Sequence, residues 1–330
     1  MATTDTTGTA LDFRSLPKVE LHCHLEACFR PETVMEIGRD LGLEIPQDRR
    51  RFRDEWLLSR PMRDLKTALA RFVDIQRIWC SEEVIERLAY EACLDSQAQN
   101  ITIQEFRYSP DFILGGKTNG LTHESVHAAI LRGIERARQP GFDVGLIGIV
   151  QKTLPLKDAA RTVAFIAENA DSFVGLDFAD HDTHPLEAYR PLVDVARRAG
   201  LGLTVHAGEE PDSAQQVIDA IDLLGAERIG HGIHVISDER ALELVRRRGV
   251  VLEVCPTSNW LTNSVPSTAA HPIRRLMDAG VNVTINSDDP SLFGIDQTHE
   301  YALLAAEHGF GVKEFAAATD IARRASFVRD

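Results

Sequence analysis

The chain lacks the markers of export, membrane insertion and covalent cross-linking. Its five cysteines (Cys23, Cys28, Cys80, Cys93 and Cys255) form no Cys-x-x-Cys pair and are odd in number. Reduced thiols in a cytoplasm are the simplest reading of that usage. No apolar run approaches the roughly 20 residues that a membrane helix needs. The first ten residues carry neither a basic stretch nor an apolar one, so residues 1–10 read as a disordered tail rather than a secretory signal. Positive charge is scarce as well. A formal net charge of −14 disfavours a nucleic-acid or anionic-membrane partner, because both repel an acidic surface. No Gly-x-Gly-x-x-Gly follows any strand-like segment, which leaves a dinucleotide-binding open sheet without support. Aromatics make up only 6% of the residues, and no internal repeat or low-complexity segment stands out.

What is present is the composition of a globular protein, 44% hydrophobic and 26% charged over 330 residues. Residues 11–330 are long enough to fold as a single domain. The stretch from Leu16 to Leu25 reads Leu-Pro-Lys-Val-Glu-Leu-His-Cys-His-Leu. Lys18 to His24 predicts a short strand with Val19, Leu21 and Cys23 on one face and Glu20, His22 and His24 on the other. Two imidazoles two residues apart on a strand can reach one metal ion. Zinc, iron, copper and nickel all suit that pair.

A helix opens at Arg30-Pro31-Glu32 and stops near Gly42. Residues 44–100 carry no strong strand signal. Helices are expected there at 48–60, 63–79 and 82–97, forming an insertion or lid. From residue 101 strands and helices alternate. Strands are expected at 101–108, 143–150, 173–178, 202–206, 228–230, 250–254 and 282–286. The intervening helices fall at 122–138, 156–169, 186–199, 213–224, 238–248, 272–279 and 297–308. With the strand at residue 18 that makes eight strand-helix units, hence a parallel (β/α)8 barrel. A doubly wound open sheet is the competing arrangement.

Reactive groups in such a barrel gather at the C-terminal ends of its strands. Those ends carry His22 and His24, Glu105 to Tyr108, Asp177 to Asp180, His206-Ala207-Gly208-Glu209, His231-Gly232, Cys255-Pro256 and Ser287-Asp288-Asp289-Pro290. His22, His24, His206 and Asp288 make a ligand set for one zinc with a position left for water. Zinc lowers the pKa of bound water from about 15.7 to near 7. Asp288 could take up that water's proton, and His231 could orient the resulting hydroxide. Glu209, three residues past a ligand, could donate a proton, and Asp289 could share a hydrogen with a ring nitrogen. The fourth strand end, Gly-Leu-Asp-Phe-Ala-Asp, offers no lysine to bridge two metals, so one zinc per chain is expected.

These segments resemble the adenosine deaminase family of the amidohydrolase barrels. The matching pieces are the residue 16–25 stretch, Glu-Phe-Arg-Tyr-Ser-Pro at 105, His-Ala-Gly-Glu at 206, Arg-Ile-Gly-His-Gly-Ile-His at 228, Cys-Pro-Thr-Ser-Asn at 255 and Asn-Ser-Asp-Asp-Pro at 286. They stand in family order and cover the chain from residue 16 to about 327. The resemblance implies zinc on His22, His24, His206 and Asp288, protonation of purine N1 by Glu209, and handling of hydroxide by His231 and Asp288. It also places His24, Glu26, Asp180, Gly208 and Asp289 around the substrate, with Asp289 at N7. Water adds at C6 and ammonia leaves.

Three positions depart from the family pattern. Leu25-Glu26-Ala27 replaces the usual Leu-Asp-Gly, and Ala179-Asp180-His181 replaces Ala-Gly-Asp. Glu26 is one methylene longer than the family's aspartate, Ala27 adds a methyl, and Asp180 stands where a glycine amide faces purine N3. The sugar side of the site is therefore altered. The departures resemble bacterial adenine deaminases, which share the glutamate and a His-Pro (here His184-Pro185), and equally suit a modified nucleoside such as aminodeoxyfutalosine. Zinc-dependent deamination of a 6-aminopurine is the expected function, with adenosine the default substrate. A purine-binding barrel without turnover is the alternative of another class. Asp177 reads as structural, His234 as packing, and His123, His127, His271, His299 and His308 as ordinary histidines without partners.

Overall fold

The computed structural model describes residues 11–69, 72–115, 119–180 and 185–329. The expected tail at 1–10 lies outside the described residues, as do His181 and His184. Eight parallel strands pair in sequence order. They are β1 (Lys18–His24), β2 (Ile101–Tyr108), β3 (Asp143–Gln151), β4 (Phe173–Ala179), β5 (Gly202–Ala207), β6 (Arg228–His231), β7 (Val251–Val254) and β8 (Asn282–Ile285). This is the (β/α)8 barrel that the alternation predicts. Strand bounds fall within about two residues of the expected ones, because runs such as Leu-Ile-Gly-Ile-Val and Val-Leu-Glu-Val are buried on both faces.

The seam between β8 and β1 closes just beyond the end of β8. The Asp288 amide donates to the His22 carbonyl at 2.9 Å, and the His24 amide donates to the Asp288 carbonyl at 2.8 Å. Below them the Leu21 amide donates to the Asn286 side chain, and both the amide and the hydroxyl of Ser287 donate to Glu20. The backbone that closes the barrel is thus the backbone that carries His22, His24 and Asp288.

Helices follow their predicted positions where an N-cap and an apolar stripe coincide. Ser81 caps Glu82–Gln97 and Thr122 caps His123–Arg136, each side chain accepting from an amide in the first turn. The insertion is less regular than its sequence suggests. The helix expected at 48–60 is one turn, Arg49–Arg51, running into a π-helical turn, Phe52–Trp56. The one expected at 63–79 contains Leu65–Leu69 and Phe72–Gln76. Segment 213–224 likewise passes from an α-turn into a π-turn at Ala220–Leu224. Short helices also start at Pro110, Pro256 and Pro290, each with proline in its first turn.

The eight-unit count omits a last helix, Val312–Ala325. Its N-cap is Gly311, which offers no side-chain signal, although Glu314 reaches back to the Gly311 amide. Ala322 of this helix packs on Val19 and Leu21 of β1. No helix among the described residues is long and apolar enough to cross a membrane.

Candidate active site

The inner wall of the barrel is a chain of buried charges. Arg107 on β2 donates to Asp177 on β4 at 2.8 Å and to Glu253 on β7 at 2.7 Å. Arg228 on β6 pairs with Glu253 at 2.8 Å and with Glu105 at 2.7 Å. All five side chains are at most 1% exposed. Burial alone would raise the carboxyl pKa values of Asp177 and Glu253. Their neighbours, the His206 imidazole and the Arg107 guanidinium for Asp177 and Arg107 and Arg228 for Glu253, reverse that and hold both well below the usual range.

Two histidines stand on this layer. His22 donates through Nδ1 to Glu253 at 2.9 Å, and His206 donates through Nδ1 to Asp177 at 3.1 Å. Both rings are thereby turned so that Nε2 faces the barrel axis. Gly230 makes room for them, since a Cβ there would lie 2.9 Å from the His22 ring and 3.2 Å from the His206 ring. The Nε2 atoms of His22 and His24 each lie 3.2 Å from Asp288 Oδ1. One ligand atom from each of His22, His24, His206 and Asp288 fits within 4.8 Å of the others.

A metal ion is implied by this donor set. His22 Nε2 is fully buried without a hydrogen-bond partner, and a buried polar atom left so is costly unless something occupies the space it faces. Burial pushes the His206 imidazole down to about 3, so it stays neutral, as a ligand must. Burial would raise the Asp288 carboxyl, but His22 and the other imidazoles hold it well below its usual range. The residues fit a metal.

Around this centre stand the remaining predicted residues. His231 points Nε2 at Glu209 (3.5 Å) and at Asp288 Oδ2 (3.8 Å). Its Nδ1 accepts from the Asn259 amide, whose oxygen accepts from His271. Glu209 Oε1 accepts from the Thr262 hydroxyl at 2.9 Å. Burial, reinforced by the Asp288 charge, lifts the Glu209 carboxyl to about 7. The same two causes push Asp289 well above its usual range, and its Oδ1 is buried without a partner. Ser258 donates to Asp288 Oδ2 at 2.6 Å.

Glu26 is 3% exposed and accepts from the Ser109 amide at 2.7 Å, so its side chain turns inward at the end of β2. Burial raises its carboxyl to about 7. Asp180 keeps a glycine-like backbone, with φ at +78°, and accepts from the Thr153 hydroxyl. Gly208 has φ at +68°; of the five expected substrate contacts it alone does not line the cavity. His231 and Asp288 also adopt positive φ, at 64° and 63°, a strain that clusters at functional sites.

The cavity holding these groups measures about 210 Å³. Glu26, Asp180, Glu209 and Asp289 line it, and Leu58, Leu65, Ala68 and Phe72 of the insertion form part of its wall. Sequence reasoning named Arg107 and Asn259 only within motifs and gave them no role, read His271 as ordinary, and missed Glu253 and Thr262. A glutamate inside the apolar run Val-Leu-Glu-Val was the available signal for Glu253. Four of the five histidines taken as partnerless, His271 with Asn259 among them, have side-chain partners. His127 bonds Tyr108 and Ser172, His123 contacts Asp111, and His308 contacts the Thr268 carbonyl. His234 contacts the Ser264 carbonyl, a packing role.

A parallel barrel with histidines and an aspartate converging at its C-terminal mouth defines an amidohydrolase-type hydrolase. The chain belongs to the adenosine deaminase family, whose pattern matches residues 17–330, and it is a hydrolytic deaminase. It is 33% identical to an adenosine deaminase of Plasmodium falciparum over 308 residues, covering 92% of this chain and 83% of that one. It is 38% identical to an adenine deaminase of Rhizobium johnstonii over 322 residues, 96% of each. Among solved structures, an amidohydrolase of Burkholderia ambifaria with bound zinc superposes with a TM-score of 0.83 at 26% identity, covering all of this chain and 92% of that one.

Proposed function

We propose that the chain is a zinc-dependent aminohydrolase that converts a 6-aminopurine to its 6-oxo product and ammonia, with adenosine as the default substrate. The observation that carries this reading is the convergence of three imidazoles and Asp288 within 4.8 Å, beside a carboxyl held near neutrality, Glu209. His22, His24, His206 and Asp288 hold the metal. When bound there, zinc supplies a water whose pKa falls to near 7.

Asp288 Oδ2, oriented by Ser258, would be the acceptor for a proton given up beside the metal. His231, whose Nδ1 accepts from Asn259, carries its proton on Nε2 and would orient the attacking nucleophile toward C6. Protonated Glu209 donates to N1, so that C6 becomes electrophilic and the ring can carry the added electron pair. Protonated Asp289 donates from its buried carboxyl to N7, an acceptor. The proton taken up by Asp288 passes to the amino group, the C6 hydroxyl proton returns to Glu209, and collapse at C6 expels ammonia. The apolar residues of the insertion keep bulk water away.

Free adenine is the second reading, favoured by two observations. Glu26 turns inward to the end of β2, and Asp180 places a side chain in the cavity, and these are the two positions that the family resemblance puts toward the sugar. Ultraviolet absorbance of metal-loaded protein with adenosine, adenine and aminodeoxyfutalosine separates the substrates. Loss of the adenine band is the expected outcome, and no change with any 6-aminopurine would favour a binding barrel instead.

A further inference from the structure

Behind β1, on the side away from the metal ligands, lies a second cavity. It measures about 290 Å³, and its lining shares no residue with that of the active site. Glu20, Cys23, Cys28, Ser96 and Gln104 are among the residues around it. Cys23 and Cys28 meet there, with their sulfurs 3.3 Å apart. Nothing in the deaminase chemistry uses either thiol. Cys23 alternates away from the mouth, and Cys28 follows the single turn of 3-10 helix at Leu25–Ala27.

We propose that Cys23 and Cys28 form an oxidation-sensitive dithiol, which hydrogen peroxide closes to a disulfide at the expense of the metal site. One thiol, as thiolate, attacks a peroxide oxygen. The O–O bond breaks, water leaves and a sulfenic acid forms. The second sulfur displaces a second water from that sulfenic acid, so two thiols and one peroxide give one disulfide and two waters.

Geometry selects the oxidant. Cys23 is 3% and Cys28 7% exposed, which bars a bulky disulfide such as oxidised glutathione. A neutral molecule of nearly the size of water can enter a polar cavity. Burial pushes the Cys28 thiol well above its usual range, which slows attack by that sulfur, but the two sulfurs already stand side by side for the second step.

The coupling to the metal site runs through backbone. A disulfide requires a sulfur separation of about 2.05 Å, so the pair must close by about 1.2 Å. Cys23 lies between His22 and His24 and pairs with Asp288 across the barrel seam. The two seam hydrogen bonds join the same three residues. A shift at Cys23 therefore reaches three of the four proposed ligands.

The test uses zinc-loaded protein treated with hydrogen peroxide, quenched, and alkylated after denaturation without reductant. Trypsin leaves Cys23 and Cys28 on one peptide beginning at Val19. The expected result is that peptide short of two hydrogens and free of alkylation, reverting on treatment with dithiothreitol. Zinc retention and activity should fall together by about 10–100-fold, the range for disturbed ligand support, and Cys28→Ser should keep both under peroxide. Two alkylated thiols on that peptide after treatment, or equal losses in Cys28→Ser, would overturn the proposal. A disulfide with zinc fully retained would overturn its link to the metal site. The peptide and zinc readouts need no substrate. An untreated protein inactive on every 6-aminopurine would thus count against the proposed function while these two readouts still decide the dithiol.

Discussion

A carboxyl that must donate a proton at neutral pH needs an environment hostile to its charge, and Glu209 has one. It is buried, it faces Asp288, and a single hydroxyl, Thr262, bonds it. The sign of the pH dependence follows. In the proposed reaction Glu209 works protonated, so kcat/KM should fall as pH rises through about 7, or somewhat lower once a cation binds nearby. Glu209→Gln should retain metal, lose about 10²–10⁴ in kcat, and lose that alkaline limb. A wild-type profile flat across neutrality, or a fully active Gln variant, would remove Glu209 from the mechanism. Asp180 shows a different residue-scale economy. The backbone keeps the positive φ that glycine adopts easily, and the aspartate tolerates it because short polar side chains enter that region at modest cost.

Strand ends supply the ligands, and the strands beneath supply their orientation. Asp177 illustrates the division, since it holds His206 on one side and Arg107 on the other. Asp177→Asn should weaken metal affinity about 10–100-fold, measurable by competition with a chelating dye. Unchanged affinity would show that packing alone orients His206. A separate element-scale effect concerns His127, stacked on Phe173 with ring centroids 4.4 Å apart and bonded at both nitrogens. Burial lowers its pKa from 6.5 to about 4. The unfolded chain therefore takes up the proton first, and this contribution to stability is intact above pH 6.5 and declines as pH falls toward 4. Urea titrations of wild type and His127→Phe should show the steeper acid loss in wild type, and parallel curves would refute the assignment.

How much of this was legible depended on where the physical signal lay. The barrel was readable because buried strands and amphipathic helices alternate over most of the chain. That His22, His24, His206 and Asp288 would converge was readable because chemistry-bearing residues fell repeatedly at strand ends. The supporting layer was less so. Arg107 and Glu253 are charged residues that a strand buries only when distant partners neutralise them, and one strand's sequence does not name those partners. The π-turns at Phe52 and Ala220 were hidden for another reason. A π-turn adds one residue to a helical repeat, and a short segment cannot reveal that addition.

At the scale of the molecule, folding and metal binding share one structure. The seam of the barrel is tied by the backbone of His22, His24 and Asp288, so the four proposed ligands are assembled only once the first and last strands meet. In the absence of a cation the centre holds a fully buried His22 Nε2 with no partner close to a carboxylate. An ion that binds the native chain and not the unfolded one stabilises it by about 2.7 kcal/mol at 100 times its Kd. Chelation followed by dialysis should therefore lower Tm by several degrees and abolish turnover. Added zinc should restore both, activity saturating above the Kd while Tm goes on rising with the logarithm of the zinc concentration, and one Kd should describe both curves. Calorimetry and activity measured along a single zinc titration provide the check. If Tm were indifferent to chelation while activity vanished, the metal would lie outside the seam, and the three residues that close the barrel would not be its ligands.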